Sequence, residues 1–133
     1  MQHWVKDIYD MHTKFGVREA IKKLSPKELN EFLQFRIRFL EEELNETKKA
    51  AEEKDAEEVV DGLIDLCVVA IGTLDAFGVN AYQAWSEVQT ANMAKEVGIK
   101  ESRPNELGLP DLIKPEGWTP PSHKGNHGKL NEL

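Results

Sequence analysis

The stretch EEELNETKKAAEEKDAEEVVDGLIDL, residues 41–66, holds two carboxylate pairs of matched spacing, Glu43-x-x-Glu46 and Glu58-x-x-Asp61, either side of a short polar segment. At i and i+3 both members of a pair project from one side of an α-helix. Two antiparallel helices joined across that segment would bring four carboxylates together. The second half opens with Asp55-Ala56-Glu57-Glu58, which reads as a capping box, and runs as an almost wholly apolar helix to about Phe77, with Gly78 as its stop. A helix so apolar all round is expected to be the most buried element of a bundle.

Toward the N-terminus, Ser25-Pro26-Lys27-Glu28 combines an N-cap serine, a proline at the first helical position and a glutamate at the third. A helix is predicted from there to about Ala50, with one apolar stripe through Leu29, Leu33, Ile37, Leu40 and Leu44 and a flank of Phe32, Phe35 and Phe39. One helical repeat beyond that flank come Glu43 and Glu46, so the carboxylates continue a packed face. Trp4, Ile8, Met11 and Phe15 form a further amphipathic stripe that ends at Gly16. Toward the C-terminus, Asn80 caps a fourth helix carrying Ala81, Ala84, Trp85, Val88 and Ala91, ending near Lys95. Trp4 and Trp85 are read as core aromatics. Past Glu96 the composition changes, because five of the six prolines (Pro104, Pro110, Pro115, Pro120, Pro121) and five of the nine glycines lie there. The expected organisation is an all-α bundle of about four helices over residues 1–95, then an extended, irregular tail over 96–133.

At 133 residues one domain core is expected. Hydrophobic residues make up 40% and charged residues 31%, which places the chain among globular proteins. Between Glu41 and Asp61 ten acids face three lysines, which accounts for the whole net charge of −7. Negative charge focused in this way repels a phosphate backbone, so nucleic acid and anionic membrane are not expected as partners. A divalent cation would reverse the sign locally. The lone Cys67, in an apolar run, can form no intramolecular disulfide and is expected to be buried and inert. The opening residues lack a basic segment followed by a long apolar run, and nowhere are there 18 consecutive apolar residues, so a cytoplasmic location is predicted.

Four carboxylates of full charge suit a hard cation, and Mg²⁺ takes a few such ligands while keeping waters and substrate phosphates. The plainer readings are that Glu58 completes its capping box and that Glu41 to Glu46 form a solvated face. Against them, Asp61 and Asp65 sit inside an otherwise apolar helix, where an unpaired carboxylate costs several kcal/mol or neutralises. Asn92 and Lys95 read either as an ordinary helix terminus or as phosphate contacts. Gln34 and Arg38, before the acidic pair, either line a nucleotide pocket or lie on the surface. His123 and His127 are weaker metal candidates, since Gly125 and Gly128 argue against a rigid helix there.

The order Glu42-Glu43-x-x-Glu46, loop, Glu58-x-x-Asp61, then Ala91-Asn92-Met93-Ala94-Lys95, resembles the all-α nucleoside triphosphate pyrophosphohydrolases of the MazG-like group, in particular the short single-domain versions carried by bacteriophages. The similarity covers about residues 30–95. It implies Mg²⁺-dependent cleavage of the α–β phosphate bond of nucleoside triphosphates, with Mn²⁺ as a substitute, giving a monophosphate and pyrophosphate. Glu43, Glu46, Glu58 and Asp61 would be the metal ligands, Glu46 also the preferred general base, and Asp65 and Glu42 supporting acids around them. Asn92 and Lys95 would hold substrate, with Gln34 and Arg38 nearby. Only eleven residues separate Glu46 from Glu58, so the loop must be tight. A homodimer or homotetramer would complete the bundle, in a host cytoplasm if the chain is phage-encoded. The alternatives are a relative acting on dUTP, dCTP or phosphoribosyl-ATP, and a non-catalytic acidic helical module that binds a basic partner.

Overall fold

A computed structural model describes residues 3–102, 106–109 and 111–133 of the chain. Pro104 and Pro110, counted above in the tail, and Met1 and Gln2 lie outside the described residues. The structure is all-α in class: α1 (Trp4–Lys14), α2 (Val17–Lys22), α3 (Pro26–Glu52), α4 (Ala56–Ala76) and α5 (Ala81–Met93), followed by strands β1 (Glu96–Gly98) and β2 (Asp111–Ile113) and a 3-10 turn, Gly128–Glu132. The chain forms two compact units, one of Met1–Ala81 with His127–Leu133 and one of Tyr82–Asn126.

In the first unit the helix boundaries follow from local chemistry. Gly16, at φ 73°, takes the left-handed conformation that breaks the N-terminal helix, and a separate short α2 follows it, one helix more than the periodicity predicts. The Ser25 hydroxyl accepts from the Glu28 N–H while the Glu28 carboxylate accepts from the Ser25 N–H, a complete capping box. Two Schellman turns then end α3 and α4. At the end of α3 the Lys54 N–H donates to Ala51 O and the Asp55 N–H to Ala50 O; at the end of α4 the Gly78 N–H donates to Asp75 O and the Val79 N–H to Leu74 O. The capping box expected at Asp55 is only half present. Its carboxylate accepts from the Glu58 N–H, but its own N–H is already taken by Ala50 O.

The core gathers Ile8, Ile21, Leu29, Val69, Ala76 and Phe77, with Phe32 tilted against Phe77 at 5.8 Å between centroids. α4 is not the most buried element. It meets its neighbours through Gly62, Val69, Gly72 and Ala76, and Val60, Leu63 and Ile64 stand 63%, 52% and 46% exposed. A helix apolar all round needs neighbours all round, and one chain of this length supplies them on one side only. Trp4 and Trp85 are likewise exposed, and Cys67 is half-buried, against the expectation that all three sit in the core. No single described helix is long and apolar enough to cross a membrane.

In the second unit β1 and β2 pair antiparallel, Val97 opposite Leu112, so the stretch expected to be irregular carries a short ladder. Trp118 donates from Nε1 to Ala91 O at 2.7 Å, which ties the chain beyond β2 to α5.

Candidate functional site

The alignment of α3 against α4 is fixed by a glycine. A Cβ at Gly62 would run into the Thr47 hydroxyl, so the two backbones approach closely there, and Thr47 Oγ1 is held in place by donating to Glu43 O at 2.8 Å. Counting outward from that contact, antiparallel helices bring Glu43 and Glu46 of α3 level with Asp61 and Asp65 of α4.

The electrostatics agree with this placement. Burial, then the negative charges of Asp65, Glu46, Asp61 and Glu42, push the Glu43 carboxyl above its usual range. Asp65 is raised by burial, then by the charge of Asp61 and a hydrogen bond with it, then by Glu46. Glu43 and Asp65 are half-buried, whereas Glu42, Glu46 and Asp61 are exposed. Four carboxylates from two helices thus feel one another, and none of the four has a cationic partner among the described residues. Like charges held together in this way make Glu43 and Asp65 harder to ionise, and an added cation would remove the conflict.

Glu58 is not drawn into this group. It is exposed in the first turn of α4, and the Thr47–Gly62 alignment puts it opposite the Ala50–Ala51 turn. Asp65 takes the inner place instead. Gln34 and Arg38 lie exposed on α3.

Asn92 and Lys95 belong to the second unit, at and just past the end of α5, where both are half-buried. There the Lys95 ammonium lies 5.5 Å from the centre of the Trp118 ring and Lys114 lies 5.1 Å from it, so Lys95 is held by an aromatic face. A groove of about 380 Å³ opens in the same unit, with Thr90, Ala91, Trp118 and Pro120 in its walls.

Among the described residues no three His, Cys, Asp or Glu side chains are grouped closely enough to hold a metal ion by themselves. The donor chemistry nevertheless fits a hard ion. All the facing groups are carboxylates, and Mg²⁺ completes its shell with waters and substrate phosphates where a protein supplies only part of it.

Two polar features escaped the sequence reading. Asp75, near the end of α4, accepts from Arg18 Nη1 at 2.9 Å and Nη2 at 3.0 Å and lies 2.7 Å from His12 Nδ1, with His12 97% withdrawn from solvent. This ties α1 and α2 to α4. Arg36 sits half-buried on α3 with its guanidinium 5.0 Å from the Phe32 ring centre. A charge on the heptad stripe Leu29, Arg36, Glu43, Ala50 was the available signal, since both ends of that stripe are buried.

Residues 8–92 match the sequence profile of the phosphoribosyl-ATP pyrophosphohydrolase family. The chain belongs to that family. It is therefore a pyrophosphohydrolase in type, and its all-α architecture agrees with the broader MazG-like relationship suggested by the motifs. No curated protein gives a significant match.

Proposed function

We propose that the protein is a Mg²⁺-dependent pyrophosphohydrolase that hydrolyses the α–β phosphate bond of nucleoside triphosphates to a nucleoside monophosphate and pyrophosphate. The observation that carries this reading is the set of mutually repelling carboxylates, Glu43, Glu46, Asp61 and Asp65, across the α3–α4 seam of a chain of this family. These four are the groups that would hold the ion, with Glu58 at the margin. When bound, Mg²⁺ screens the phosphate charge and lowers the pKa of a coordinated water.

The chain's own part is positioning and proton transfer. Glu43 and Asp65, half-buried, are the fixed members of the set; Glu46 and Asp61, exposed, have room to meet water and substrate. Glu46 is the proposed general base: its carboxylate takes a proton from the attacking water as the water oxygen bonds to the α-phosphorus and the bond to the bridging oxygen breaks. Pyrophosphate departs with that oxygen. The bare apolar strip of Val60, Leu63 and Ile64 supports a homodimer or homotetramer in which a second copy covers α4.

A second reading, phosphoribosyl-ATP as substrate, is favoured by the family match itself and uses the same bond and the same carboxylates. One experiment tests both. The protein is incubated with canonical and modified nucleoside triphosphates and with phosphoribosyl-ATP, in Mg²⁺ or in chelator, and products are identified by ³¹P NMR in ¹⁸O-labelled water. Pyrophosphate with label in the monophosphate is expected. Orthophosphate with a diphosphate, or turnover undiminished by chelator, contradicts the proposal.

A further inference from the structure

Arg36 has five N–H donors, and none of them makes a hydrogen bond or ion pair with the protein among the described residues. Its Nε is shut away from solvent without a partner. The side chain as a whole is only partly withdrawn from solvent. The guanidinium lies 5.0 Å from the centre of the Phe32 ring, and Gly72 lets the α4 backbone come close to it: a Cβ at Gly72 would lie 3.6 Å from Arg36 Nη1 and 3.4 Å from the His12 ring. In a chain of net charge −7, a half-buried cation without a carboxylate is out of place. Arg18, by contrast, is saturated by Asp75.

Arg36 lies on the seam between α3 and α4, beside Gly72. It shares the stripe of Glu43 seven residues earlier, about 10 Å along the helix axis at 1.5 Å per residue. Among the described residues no ion pair joins Arg36 to Glu43. One end of the α3–α4 seam is therefore acidic and the other carries an unpaired planar cation, a separation that a polyphosphate chain can bridge. A guanidinium presents two parallel donors that match two oxygens of a phosphate group.

We propose that Arg36 is a substrate-binding residue that receives a phosphate group of the polyphosphate through its Nη edge, at the opposite end of the seam from the carboxylates. This rests on the pyrophosphohydrolase reading for the identity of the substrate, but its test need not.

Inorganic pyrophosphate is titrated calorimetrically into the full-length protein in Mg²⁺, comparing wild type with Arg36→Met, Arg36→Lys and, as a control for simple loss of charge, Lys27→Met. Arg36→Met is expected to weaken binding roughly ten- to a hundredfold, the scale of a lost bidentate charged contact. Arg36→Lys should fall between, and Lys27→Met should match wild type. In turnover, KM should rise by a similar factor with kcat changed far less. Arg36→Met is expected to melt at or above wild type, because it replaces an unpaired charge by an apolar chain of similar length; should it not fold, Arg36→Lys carries the comparison. Pyrophosphate binding by Arg36→Met within twofold of wild type, or none by wild type at millimolar concentration, overturns the proposal. Failure of wild type to hydrolyse any nucleotide would overturn the hydrolase reading instead, since pyrophosphate binding is scored without turnover.

Discussion

Asp75 and Glu43 are both carboxylates beside α4, and their opposite surroundings give opposite expectations. Asp75 is nearly buried and satisfied by Arg18 and His12, so Asp75→Asn leaves a charged guanidinium without its counter-charge. A loss of about 3 kcal/mol is expected, read from the denaturant midpoint. Glu43 is crowded by like charges, so Glu43→Gln should leave the metal-free melting temperature unchanged or raised while turnover falls by about two orders of magnitude or more, the scale of lost metal or general-base function. A drop in melting temperature with activity retained would assign Glu43 a structural role. Glu28 titrates differently again. Hydrogen bonds from the Ser25 backbone and hydroxyl hold its carboxyl below the usual range, so its contribution is present above the unfolded pKa and is lost as pH falls through the lower folded value. Glu28→Gln should flatten that part of the stability profile below about pH 4.3.

Among the elements, the α3–α4 hairpin is the one whose geometry the site depends on. Lys54 closes it in the left-handed conformation at φ 58°, a position that suits glycine. Lys54→Gly should therefore stabilise the protein by about 1 kcal/mol and raise the melting temperature by a few degrees. Gly62 is the converse case, since any Cβ there meets Thr47. Gly62→Ala is expected to cost about 1–3 kcal/mol by overpacking, and Thr47→Ala in the same chain should recover part of it. Additive losses in the double variant would mean that the Thr47–Gly62 contact does not set the helix spacing.

For the whole molecule, the strip of Val60, Leu63 and Ile64 governs the expectation. In the proposed oligomer, apolar surface on a helix that also carries Asp61 and Asp65 would couple assembly to the site. Analytical ultracentrifugation should find a dimer or tetramer, and Leu63→Glu should shift it toward monomer with loss of turnover. A wild-type monomer that is fully active would refute assembly as a condition of function.

The sequence by itself determined the start of α3 and the stop of α4, though not the short α2, because caps, left-handed stops and apolar periodicity act within a few residues: Ser25-Pro26-Lys27-Glu28 and Gly78 are legible one turn at a time. It also determined that acids cluster on both arms of one hairpin. Which acids meet was decided by tertiary structure alone, since the Thr47–Gly62 contact sets the axial alignment that brings Asp65, and not Glu58, alongside Glu43. The unpaired state of Arg36 was hidden for the same reason: a charge on a helix stripe looks the same in sequence whether a carboxylate faces it or, as here, the Phe32 ring and the backbone at Gly72 do.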